Sequence, residues 1–187
     1  MRKINYLAII AGILAVVSLA LPWFDGGFKG DIYDMQFSAS LYQISGTVNG
    51  MSETTFTLLW FSLVAVAFLV ISAVSSFVGS VTVGKKGQLL ILMGGILALM
   101  SMVVFGAGIL NSNFVVMHLN PLYTLSYFQD QFGLTSQQIS MDHYVYSWSL
   151  NVGFWAAFVA GILAFASLVA HKINRAASTK PVKTATA

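Results

Sequence analysis

The 187-residue sequence contains no cysteine, three prolines and charged residues at only 8% of positions. Without cysteine there is no disulfide framework, no thiolate nucleophile, and no thiolate-held zinc or iron–sulfur cluster. Order outside a membrane must then come from packing and hydrogen bonds. The charged fraction lies far below the roughly one quarter usual in soluble domains, and 57% of the residues are hydrophobic. A surface of that composition does not stay dissolved in water. Pro22, Pro121 and Pro181 fall at a run end, in a loop and in the tail, so no apolar run shows the broken-helix pattern of secondary transporters. No Asp, Glu, Lys, Arg or His occupies the middle of an apolar run. That argues against a pump, a coupled transporter or a haem held between helices. No nucleic-acid patch is present, and no cofactor is expected.

Four apolar runs are present, at about residues 4–24, 56–83, 89–110 and 150–170. Each reaches the roughly 20 residues that span about 30 Å of hydrocarbon as helix. The second is longer, so tilt or protrusion is expected. The basic start Met1-Arg2-Lys3 and the small-x-small stretch Ser18-Leu19-Ala20 would also suit a signal peptide. The apolar length, beyond the roughly 7 to 15 residues of that class, favours a retained span.

Charge is segregated along the chain. Arg2, Lys3, Lys85, Lys86, Lys172, Arg175, Lys180 and Lys183 lie at the ends or in the short connection 84–88, while Lys29 alone lies in a long loop. All six acidic residues, Asp25, Asp31, Asp34, Glu53, Asp130 and Asp142, lie in the long loops 25–55 and 111–149. A positive-inside bias then puts both termini in the cytoplasm and both long loops outside, as in a multi-pass protein of the cell (plasma) membrane. Trp23, Trp60, Trp148 and Trp155 lie at or near the outer ends of the runs, where aromatic anchors are expected. The expected domain is a single four-helix membrane unit over 1–173, followed by a small, basic, disordered tail over 174–187.

In the first loop, residues 34–41 alternate polar and apolar, which places Met35, Phe37, Ala39 and Leu41 on one face of a strand. Gly46 and Asn49-Gly50 supply turns, so a small antiparallel sheet is expected, its apolar face resting on the helix ends. The second loop interleaves Tyr123, Tyr127, Phe128, Tyr144 and Tyr146 with Asn, Gln and Ser, a composition suited to protein contacts. With Phe37 and Leu41 these make the expected interaction surface, although the same residues would also serve to fold the loops back onto the bundle. A short helix is expected to start near Ser136-Gln137-Gln138. Met117-His118 and Met141-Asp142-His143 make His118, Asp142 and His143 a candidate metal site, since imidazole and thioether donors suit copper and a carboxylate completes the set; their spacing matches no defined ligand motif.

Small residues recur at four-residue spacing: Gly153, Ala157 and Gly161 on one stripe, Gly94 and Ala98 on another. Such stripes let helices approach closely, either within one bundle or between copies. Serines Ser62, Ser72 and Ser101, with Asn151, are the polar groups available to line a path through the bundle, though nothing charged selects an ion.

The inside termini, a first outer segment opening as strands after the first helix, a very short inner connection and a second outer segment resemble the claudin and peripheral-myelin-protein tetraspan group. Ser18-Leu19-Ala20-Leu21-Pro22-Trp23 is similar to that group's first-helix exit, where Leu-Pro precedes a tryptophan. The group's Gly-Leu-Trp and paired cysteines have no counterpart here, so its adhesion role does not transfer. The resemblance implies an all-α four-helix bundle with an outer sheet in the first loop and a longer mixed second loop. The expected function is a non-enzymatic structural or interaction membrane protein. Its partners would be the lipid bilayer and either further copies or other membrane subunits. The alternatives are an accessory subunit of a membrane enzyme complex, handling metal through His118, His143 and Asp142, and a pore or small-solute carrier.

Overall fold

Helix α1 (Tyr6–Ala20) begins where the Asn5 side chain accepts the Ala8 N–H at 3.3 Å, satisfying one of the donors a helix start leaves open. It stops because Pro22 has no N–H to return to the Ser18 carbonyl. The computed structural model describes residues 4–30, 34–56, 60–111, 136–141 and 144–178. Four helices occur among them: α1, α2 (Trp60–Val81), α3 (Lys85–Asn111) and α4 (Val152–Ser178). Helix α2 packs along α3, α1 lies between α2 and α4, α4 closes onto α3, and the diagonal pair α1 and α3 barely meet.

Helices α2, α3 over Lys85–Gly108 and α4 over Val152–Ala170 are long and apolar enough to cross a membrane, and α1, with 15 residues, is shorter. Three helices of that length and apolarity are what a helical membrane protein requires. The first apolar run, expected to be helical over about 4–24, is helical for only its middle part, because the Pro22 terminus is followed directly by strand. Conversely α4 continues through Ser178, into the stretch expected to be a disordered tail.

Small side chains set the helix separations. A methyl group on Gly94 of α3 would lie 2.6 Å from Ser76 Oγ and 2.9 Å from the Ser72 carbonyl of α2. The close approach lets Ser72 Oγ donate to the Gly94 carbonyl at 2.7 Å, an interhelical bond of the kind that holds bundles where no hydrophobic drive separates helix from lipid. Buried Ser101 and Ser167 instead donate back to Ala98 and Ala164 one turn earlier, so these hydroxyls are satisfied in an apolar interior.

Six strands form one antiparallel sheet: β1 (Phe24–Gly30), β2 (Asp34–Ala39), β3 (Gln43–Val48), β4 (Met51–Phe56), β5 (Ser136–Met141) and β6 (Tyr144–Leu150), in the order β4-β3-β2-β1-β6-β5. The β3–β4 hairpin turns on Asn49 and Gly50, whose φ values of 48° and 81° meet the positive-φ demand of a type I′ turn. Strands β1 to β4 come from the first long connection and β5 and β6 from the second. Because β1 pairs with β6 along its length, both connections sit at one end of the bundle. The helix expected near Ser136 is strand β5, held by pairing with β6 from Ser136 opposite Ser149 to Met141 opposite Tyr144.

Candidate functional site

The sheet meets the bundle at Trp23, which is completely buried. Its ring stands edge-on to Phe105 and Phe154, with centroids 4.9 and 5.7 Å away, and Phe61 adds a further edge contact to Phe105. Trp23 Nε1 donates to the Ser18 carbonyl at 2.8 Å. The indole therefore takes the place of the proline N–H that cannot be made, and caps α1 from outside the helix. Ser18 Oγ donates to the Gly153 carbonyl at 2.8 Å.

Two backbone bonds complete the junction: Gly153 N to the Pro22 carbonyl at 2.7 Å and Asn151 N to the Trp23 carbonyl at 2.9 Å. The Asn151 side chain donates to the Asp25 carboxylate and accepts the Val152 N–H at 2.6 Å, so one amide both caps α4 and holds β1. The end of α1, the start of β1 and the start of α4 are thus one hydrogen-bonded unit, and the sheet is fixed rigidly to the helices.

Register divides the sheet into two faces, since directly opposed residues share a face and successive residues alternate. One set of rows starts with Leu150, Phe24, Ala39 and Ile44, of which Phe24 and Ala39 are buried in the main core. The next row on that face runs Gln137, Trp148, Gly26, Phe37, Gly46 and Glu53, apolar or glycine at its centre and polar on the outer strands. The alternate rows are polar. Ser136, Ser149, Asp25, Ser38, Ser45 and Thr54 form one, and Gln138, Ser147, Gly27, Gln36, Thr47 and Ser52 another. Gln36, Ser45, Thr47, Ser52 and Lys29 on this polar face are exposed.

The residues singled out from sequence fall unevenly on this frame. Leu41 is fully buried, so a partner cannot reach it; it lies past the end of β2, where it plugs the top of the bundle. Phe37 sits in β2 opposite Gly26 and Gly46, and Tyr144 and Tyr146 sit in β6 opposite Gly30 and Phe28. Tyr123, Tyr127, Phe128, His118, Asp142 and His143 lie outside the described residues, and among the described residues no three acidic or histidine side chains gather.

The small-residue stripes are used inside the bundle. A methyl on Gly153 would come within 2.5 Å of Trp23 Cδ1, and one on Gly161 within 2.7 Å of Leu99 Cδ2. Ala157 and Ala98 are buried, as are Ser62, Ser72 and Ser101. Trp60 and Trp155, 70% and 46% exposed, have the outward placement of interfacial anchors, whereas Trp23 is not an anchor but the core of the junction. The junction itself escaped the sequence reading. Its signals were Pro22, which orphans the Ser18 carbonyl, and Asn151, a cap residue ahead of an apolar run.

No protein-family model matches the chain, and no curated protein matches it.

Proposed function

We propose that this protein is a non-enzymatic membrane protein of four crossings, with both termini on the cytoplasmic side of the cell membrane. Its six-stranded sheet is the outer contact surface for another copy or another membrane or envelope protein. The rigid junction at Trp23 carries this reading. A polar sheet face that continues directly from the hydrogen-bonded junction of α1 and α4, with Asp25 of β1 accepting from Asn151, is preorganised for contact, because less ordering entropy remains to be lost on binding.

The fourth crossing draws support from length. Helix α1 rises about 22 Å at 1.5 Å per residue, and the extended residues 21–23 add about 10 Å. The sum of about 32 Å comes close to the rise of about 33 Å that the 22 residues of α2 give. Within the non-helical part Trp23 N donates to Ala39, and the Pro22 and Trp23 carbonyls accept from Gly153 and Asn151. That is the condition for irregular backbone at membrane depth. In this arrangement the architecture is similar to the claudin-like tetraspan outline.

The test is the mass of the particle extracted from native membranes in mild detergent, with its composition read by mass spectrometry. A defined oligomer or a stable complex supports contact as the function. A monodisperse monomer without partners counts against it.

A further inference from the structure

We infer that the tip of the β2–β3 hairpin, Ser40-Leu41-Tyr42-Gln43, is immersed in the membrane interface, where Tyr42 contacts lipid headgroups and anchors the sheet. The inference rests on the membrane reading of the bundle and adds a second, non-helical lipid contact to it. Strand β2 runs toward the bundle, from Asp34 opposite Lys29 to Ala39 opposite Phe24. Trp23 N donates to the Ala39 carbonyl at 2.8 Å, so the residues after Ala39 pass beyond Trp23 to the depth of Pro22 and Leu21. The Pro22 carbonyl accepts from Gly153, and Trp155 lies two residues deeper along α4, about 3 Å by helical rise. The hairpin tip is therefore level with the lipid-exposed Trp155.

Three further observations agree with immersion. Leu41 is 0% exposed and belongs to the same core cluster as Trp23, Phe61 and Phe154, while its neighbour Tyr42 is 37% exposed. The tip satisfies its own backbone: Ser40 N donates to the Gln43 carbonyl at 2.8 Å and Ser40 Oγ accepts from Gln43 N at 3.1 Å. No charged residue occurs between Asp34 and Glu53, so nothing in the hairpin opposes partial withdrawal from water. A tyrosine at this level joins Trp60 and Trp155 in an aromatic belt.

The absence of native cysteine makes the test direct. Single-cysteine variants Tyr42→Cys, Trp155→Cys and Met51→Cys are spin-labelled in lipid nanodiscs, and collision with oxygen is compared with collision with a water-soluble nickel chelate. Met51, 73% exposed at the far end of the β3–β4 hairpin, reports the aqueous value. The expected result is an oxygen-to-nickel ratio at position 42 close to that at 155 and several-fold above that at 51. A ratio at 42 equal to that at 51, with 155 still lipid-like, overturns the inference alone. A water-like value at 155 overturns the membrane reading beneath it. If Tyr42→Cys does not fold, Gln43→Cys reads the same tip with the same two outcomes.

Discussion

Replacing Trp23 by phenylalanine isolates what the indole N–H contributes at the junction. The phenyl ring retains most of the contacts to Phe105 and Phe154 but leaves the Ser18 carbonyl without its donor. Pro22 cannot supply one, and Ser18 Oγ is already committed to Gly153. A buried acceptor orphaned in this way costs about 1–3 kcal/mol. Trp23→Ala also empties a fully buried site and costs about 3–5 kcal/mol, as other large aromatic truncations do. At roughly 2–4 °C per kcal/mol for a chain of this size, the midpoint falls by about 2–12 °C for phenylalanine and about 6–20 °C for alanine. The assay is thermal loss of the monodisperse peak in a fixed detergent, which does not depend on tryptophan fluorescence. Trp155→Ala is the control. That ring is 46% exposed and stands edge-on to Phe154 and Phe158, so its removal leaves no buried cavity and costs less than that of the fully buried Trp23. Equal midpoints for Trp23→Ala and Trp155→Ala would refute the reasoning.

Gly94→Ala should destabilise the α2–α3 packing by about 1–3 kcal/mol through overpacking, since the added methyl meets a backbone carbonyl at 2.9 Å; the same thermal assay reads it. Asn5→Ala removes the cap of α1 and a 3.5 Å contact from its amide to the Ser167 carbonyl, for an expected loss of about 1 kcal/mol, visible as a lower midpoint with unchanged oligomeric mass. Impermeant thiol labelling of sealed vesicles should modify Ile4→Cys and Lys85→Cys from one side and Met51→Cys from the other. Labelling of positions 4 and 51 from the same side would mean that α1 does not cross.

The helices were legible because an apolar run of some twenty residues has few other fates, and the β2 strand because its polar and apolar residues alternate. What the sequence hid is non-local. Strand β1 contains Gly26, Gly27 and Gly30, a composition poor in strand propensity, and it exists because β2 and β6 flank it on both sides. Ser136-Gln137-Gln138 carries a helix-start composition that pairing with β6 overrides. Trp23 reads as an interfacial anchor by position along the chain. Only the convergence of Phe105 and Phe154, from helices far away in sequence, turns it into a core residue. Leu41 follows the same logic: the alternation extends a strand to it, but β2 ends at Ala39, and the hairpin tip carries Leu41 into the core, away from any contact surface.

The contact function is tested most directly by a photoreactive amino acid placed at Thr47, an exposed position on the polar sheet face, and irradiated in native membranes. A discrete adduct joining Thr47 to a second copy or to one other envelope protein is the expected result. Irradiation that leaves the chain at its monomer mass, while the same group at Val74, exposed on the outside of α2, forms lipid adducts, would contradict the account.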